Sequence, residues 1–103
     1  MVLVNTDYIS GKELQMIGLV KGSTVRSKDI VQDIGQSFKA IVGGEQGAYT
    51  KMLNESREIA TQRMVEDAKS VGADAIINVR YTTASVMQNA AEVMAYGTAV
   101  KFI

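Results

Sequence analysis

From Ala48 to Val71 the chain reads as one uninterrupted helix, and that run limits the fold more than any other feature. Neither Gly nor Pro breaks it. At 1.5 Å per residue it is roughly 36 Å long. Its buried stripe is expected to be Met52, Leu53, Ile59, Ala60, Met64, Ala68 and Val71. Lys51, Glu55, Arg57, Glu58, Arg63, Glu66, Asp67 and Lys69 occupy the other side, and Gly72 follows as the C′ residue. A chain of 103 residues makes one domain, here 1–103, with one core. So long a helix overhangs a core of that size, and the overhang is expected to meet another copy of the chain.

The remaining patterns are short strands and one further helix. Val2, Leu3 and Val4 form a first strand, and the polar stretch Asn5–Glu13 a loop. In Leu14–Ser27, Met16, Gly18 and Val20 fall on one strand face, with Ile17, Leu19 and Val25 on the other or further along. Apolar residues on both faces imply that both are covered. Gly18 and Gly22 mark a bend or bulge there. Ser27 then caps a helix whose stripe is Ile30, Val31, Ile34, Phe38, Ile41 and Val42, ended by Gly43 and Gly44. Two strands close the chain, at about 75–84 and 91–102, with a turn on Gln88 and Asn89. That turn sets Ile77 against Val100, Val79 against Thr98, Tyr81 against Tyr96 and Thr83 against Met94. On the other face it sets Asn78 against Ala99, Arg80 against Gly97 and Thr82 against Ala95. The expected fold is α+β, order β-β-α-α-β-β, a mainly antiparallel sheet with two helices.

Composition removes whole classes of function. The chain has no Cys and no His. Disulfides, thiol chemistry, Cys/His zinc sites and His-based triads are therefore excluded. Eleven basic residues balance eleven acidic ones, so no charge surplus draws the chain to nucleic acid or to a membrane surface. No apolar run approaches the ~20 residues of a membrane span. The N-terminal MVLVNTDYI lacks the basic and apolar regions of a secretory signal. A Cys-free chain fits a reducing cytosol, so a cytoplasmic location is expected. Catalysis without His or Cys needs a carboxylate pair, a Lys or a Ser in a formed pocket. No spacing singles one out, so no enzyme and no cofactor are expected.

Two places are candidate ligand sites. Gly43-Gly44-Glu45-Gln46-Gly47 precedes the long helix, and its backbone N–H groups can cradle an anion at Gly43, Gly44 and Gly47. Glu45 repels an anion and no Lys follows, which favours a plain helix–helix turn. Arg80 is a long cation on a strand face. It can bind an anion or pair with Glu92 or Asp74 of another chain, and the pairing is favoured. Of the six methionines, Met52, Met64 and Met94 fall on apolar faces, while Met16 and Met87 are isolated. Glu66-Asp67 offers too few oxygens for Ca²⁺ or Mg²⁺ within one chain. A metal site would have to be shared between subunits, from carboxylates or Met.

Ile41-Val42-Gly43-Gly44-x-x-Gly47-Ala48-Tyr49, then Arg57-Glu58-Ile59-Ala60, Gly72-Ala73-Asp74-Ala75-Ile76-Ile77 and Tyr96-Gly97-Thr98-Ala99-Val100 occur in that order. Together they resemble the YbjQ family of small bacterial proteins, labelled as heavy-metal-binding domains. The resemblance spans essentially the whole chain. It implies a compact α+β fold and a ring-shaped homopentamer. Glu45 and Gln46 stand where the family often has Arg-Ser. Thr82 stands where many members carry an acidic residue two positions after the Arg. With Cys and His absent, the metal label finds no soft ligand here beyond Met.

Overall fold

The computed structural model describes residues 1–27, 45–87 and 90–103. The described elements are β1 (Val2–Leu3), β2 (Leu14–Ser27), α1 (Glu45–Ser70), β3 (Ala75–Met87) and β4 (Ala90–Phe102). Ser27, expected to cap a helix, ends β2 opposite Ala90; the rest of that expected helix, 28–42, the glycine pair Gly43–Gly44 and the turn at Gln88–Asn89 lie outside the described residues. Among the described residues the order is therefore β-β-α-β-β, an α+β fold with one helix on a four-stranded sheet of order β1-β3-β4-β2. The sheet is mixed. β2–β4 and β3–β4 are antiparallel, but β1 runs parallel to β3, pairing Val2 with Ala75 and Leu3 with Ile76.

The long helix forms because Ala48–Ser70 holds neither Gly nor Pro, with Gly47 confined to its first turn, and it stops where Gly72 takes a φ of 77°. Gly72 N–H donates to Lys69 O at 3.1 Å and Ala73 N–H to Ala68 O at 3.0 Å. These are the two bonds of a Schellman cap, which a residue with a Cβ accommodates poorly. The buried line along α1 is Ser56, Ala60, Met64 and Ala68, one residue every fourth position. Met52, Leu53 and Ile59 are only half-buried, and Val71, expected in the stripe, lies beyond the helix and is 46% exposed. Ser56 carries a buried hydroxyl without a hydrogen-bond partner.

Small residues let the helix sit directly on the sheet. A Cβ on Gly22 of β2 would lie 2.2 Å from Met64 N, 2.4 Å from Ala60 O and 2.6 Å from Arg63 C, all helix backbone. The helix face of the sheet is completed by Val20, Ile76, Val93, Ala95 and Ala99, with Ile17 and Val79 packed at its margin. A satellite core lies on the opposite face. There Val4, Ile9, Leu14 and Phe102 pack on Ala75, Ile77 and Val100.

Two bulges correct the expected strand pattern. In β2 the register shifts between Met16 and Gly18. The extra residue reverses which face each later side chain takes. Met16 and Val20, expected on one face, are thus separated: Met16 lies exposed on the face opposite the helix, Ile17 is half-buried, and Val20 and Thr24 point to the helix. In β3 the register shifts between Ile77 and Arg80, where Asn78 adopts a φ of 53°. Asn tolerates this left-handed conformation better than most residues. Ile77 therefore faces Thr98, not Val100; Arg80 faces Tyr96, Tyr81 faces Ala95, Thr82 faces Met94 and Thr83 faces Val93. A symmetric hairpin extrapolated from its turn carries no information about an inserted residue.

Candidate functional site

Arg80 follows directly from the β3 bulge. Val4 N–H donates to Ile76 O, Asn78 N–H to Thr6 O and Val79 N–H to Val4 O, so the N-terminal segment is laced along the bulge. Arg80 Nη1 then donates to Asn5 O at 3.1 Å and to Val79 O at 3.2 Å. The guanidinium thus fastens the end of that segment. Asp74, a partner proposed for it in another chain, is engaged within its own chain, where Oδ2 accepts from Phe102 N–H at 2.9 Å. Gly47 lies in the first turn of α1, inside the helix rather than in a loop before it. The structure therefore does not bring Gly47 and Arg80 into one described site.

The helix also closes the outer edge of β2. Lys21 N–H donates to Asp67 Oδ2 at 3.1 Å, and Arg63 Nη1 donates to Ser23 O at 2.6 Å. Both backbone groups point away from β4, where another strand would otherwise pair. Arg26 reaches Glu55 at 3.4 Å further along the same border. In sequence Arg63 and Asp67 look like two charges on a solvated helix face. Only the crossing of α1 over Gly22 brings them to the strand edge, and no sequence signal marks it.

From β3, on the other side of β4 from β2, Tyr81 reaches the helix on the helix face of the sheet. Its hydroxyl lies 2.8 Å from Thr61 Oγ1. Thr61 spends its own proton on Arg57 O at 2.7 Å, so Tyr81 is the donor. Beyond this anchor, every residue of β3 from Arg80 to Met87 is exposed, and Met87 is 66% so. On the sheet face opposite the helix, Leu19 is 73% and Val25 55% exposed. The radius of gyration, 16.5 Å, exceeds the roughly 13 Å of a compact chain of this length.

Among the described residues of one chain, the donor set does not fit a heavy-metal site. Cys and His are absent, and among the described residues no three Asp or Glu side chains converge. Met64, as expected, is core. Among the described residues, no helix is long and apolar enough to cross a membrane.

Comparison with known proteins places this geometry among relatives. The YbjQ family model, described as "Putative heavy-metal-binding", matches residues 1–103. The chain is 62% identical over 103 residues to a UPF0145 protein of Clostridium novyi (strain NT), covering all of both chains. It is 50% identical over 104 residues to a UPF0145 protein of Methanosarcina acetivorans, covering 100% of this chain and 98% of the relative. The fold is similar to that of a DUF74-family protein of unknown function from Pediococcus pentosaceus. The TM-score there is 0.70 at 16% identity, covering 100% of this chain and 98% of the other.

Proposed function

The chain belongs to the YbjQ family, and from that premise we propose that it works as a homo-oligomer, a pentameric ring whose role is assembly or ligand binding rather than catalysis. One observation carries the reading: half of the sheet has a side and an arm that nothing in the described chain covers. Leu19, Val25, Val86 and Met87 are exposed there beside half-buried Met94 and Tyr96. An arm exposed on both faces gains little stability within its own chain. Apolar surface of this kind is typical of obligate contacts between identical subunits. The count of five follows the family resemblance. The absence of Cys agrees with a cytoplasmic setting. Light scattering coupled to size exclusion at micromolar concentration is expected to give about five times 11.1 kDa. A monomer of 11.1 kDa across that range overturns the reading.

A second reading is a metal-binding protein whose site is shared between subunits. It draws on the family description and on Met16 and Met87, whose exposure leaves them available to a neighbouring copy. It predicts metal at a fixed ratio per ring and a melting temperature that rises with added metal. No metal by elemental analysis and no thermal shift across a panel of divalent ions and Cu(I) would end it.

A further inference from the structure

We propose that the distal outer edge of β3, Tyr81–Met87, is a strand-pairing surface on which a second copy of this chain adds a strand to the sheet. The proposal rests on the homo-oligomer reading above and names the surface it uses.

The direction of the backbone groups follows from bonds already described. Lys21 N–H and Ser23 C=O point outward from β2, so Val20, Gly22 and Thr24 bond to Gly97, Ala95 and Val93 of β4. In an antiparallel ladder the alternate residues turn the other way. Glu92, Met94 and Tyr96 therefore bond to their β3 partners Ala84, Thr82 and Arg80. Tyr81, Thr83 and Ser85 are left with N–H and C=O directed away from β4. Val79 confirms the phase independently, since its N–H points outward and meets Val4 O at 3.0 Å. The N-terminal segment stops there, fastened by Arg80. Among the described residues no acceptor meets the amides of Tyr81, Thr83 and Ser85.

The two edges of the sheet are treated oppositely. The middle of β2 is blocked by Asp67 and Arg63, as strand edges are when pairing must be prevented. The open stretch of β3 reads Tyr-Thr-Thr-Ala-Ser-Val-Met, with no charge, no Pro and a high β-propensity. An uncharged, exposed edge of seven residues is a pairing template unless something covers it. A second copy is the occupant because the sheet beside this edge is also uncovered, at Leu19 and Val25 of β2 and at Val86 and Met87 of β3. From their fractional exposures, these four present on the order of 400 Å², within the range that marks an interaction patch. That is a large share of the ~800 Å² a stable contact buries on each partner. The middle of β2 in the second copy is not the donor, because its outward groups are already taken.

Residue-resolved amide exchange and Thr83→Pro together test this. Thr83 N–H takes no part in the β3–β4 ladder, so proline there spares the fold while blocking the edge. In the assembled wild type, the amides of Tyr81, Thr83 and Ser85 are expected to exchange at least ~100-fold slower than unstructured amides. Thr83→Pro is expected to keep its circular dichroism and lose molar mass, whereas Thr83→Val keeps both. A wild-type oligomer whose three amides exchange freely, or a folded Thr83→Pro of unchanged mass, overturns the edge contact and leaves the ring reading standing. If Thr83→Pro does not fold, the wild-type exchange rates decide alone. A wild-type monomer overturns both readings.

Discussion

Replacing Gly22 by Ala tests the packing on which the rest of the molecule depends. The added carbon would lie 2.2–2.6 Å from three backbone atoms of α1, at Met64, Ala60 and Arg63. Ordinary carbon contacts lie near 3.5–4.0 Å, so β2 and α1 must separate by about 1 Å or more. Flexible side chains can swing aside, but a helix backbone cannot. Separation loosens Val20, Ala60, Met64 and Ala68, which are buried in that seam. It also lengthens the Asp67 and Arg63 bonds to Lys21 and Ser23, which span the same crossing. Overpacking of a core costs about 1–3 kcal/mol, and a clash between two backbones belongs at or above the upper end. At about 4–8 °C per kcal/mol for a domain near this size, the melting temperature is expected to fall by ~12–24 °C. Thermal unfolding followed by circular dichroism measures this, with wild type and variant at equal protein concentration, since assembly shifts apparent stability. Gly11→Ala is the control. Its Cβ meets nothing within 4 Å, and only the φ of 75° opposes it. If Gly22→Ala melts within about 2 °C of the wild type, α1 does not sit on β2 as described and the argument fails.

Two further substitutions probe single groups. Ser56→Ala removes a buried hydroxyl with no partner, and urea unfolding is expected to show unchanged or higher stability, by up to about 1 kcal/mol; a clear loss would mean that Ser56 Oγ has a partner. The double variant Arg63→Ala/Asp67→Ala uncovers the middle of the β2 edge, and sedimentation velocity is expected to show larger, concentration-dependent species; an unchanged distribution would show that these two side chains do not guard the edge.

Much of the framework was legible in the sequence. Strand and helix periodicities placed β2, β3, β4 and the long helix, and Gly72 marked the helix end, because a C-cap is a local requirement. Gly18 and Gly22 were readable as special positions, but the sequence did not separate their roles. One marks a bulge and the other a point of backbone contact, and only the crossing helix shows which. Arg80 was readable as a significant cation. Its partners, the carbonyls of Asn5 and Val79, were not, because carbonyl positions depend on the bulge at Asn78.

The sequence by itself determined the chemistry available to the protein. Without Cys or His, any site must be built from carboxylates, Arg, Met or backbone, whatever the fold. It also determined that one helix would be long, since helix length follows from local propensity and from the absence of a breaker. Tertiary structure alone decided the strand registers, because a single inserted residue reverses every later side chain without altering the hydrophobic pattern in any obvious way. It alone decided that α1 closes the middle of the β2 edge, while among the described residues the distal edge of β3 has no such cover. Asp67 and Lys21, or Arg63 and Ser23, are far apart in the chain, and they meet only because Gly22 lets the helix backbone approach the strand.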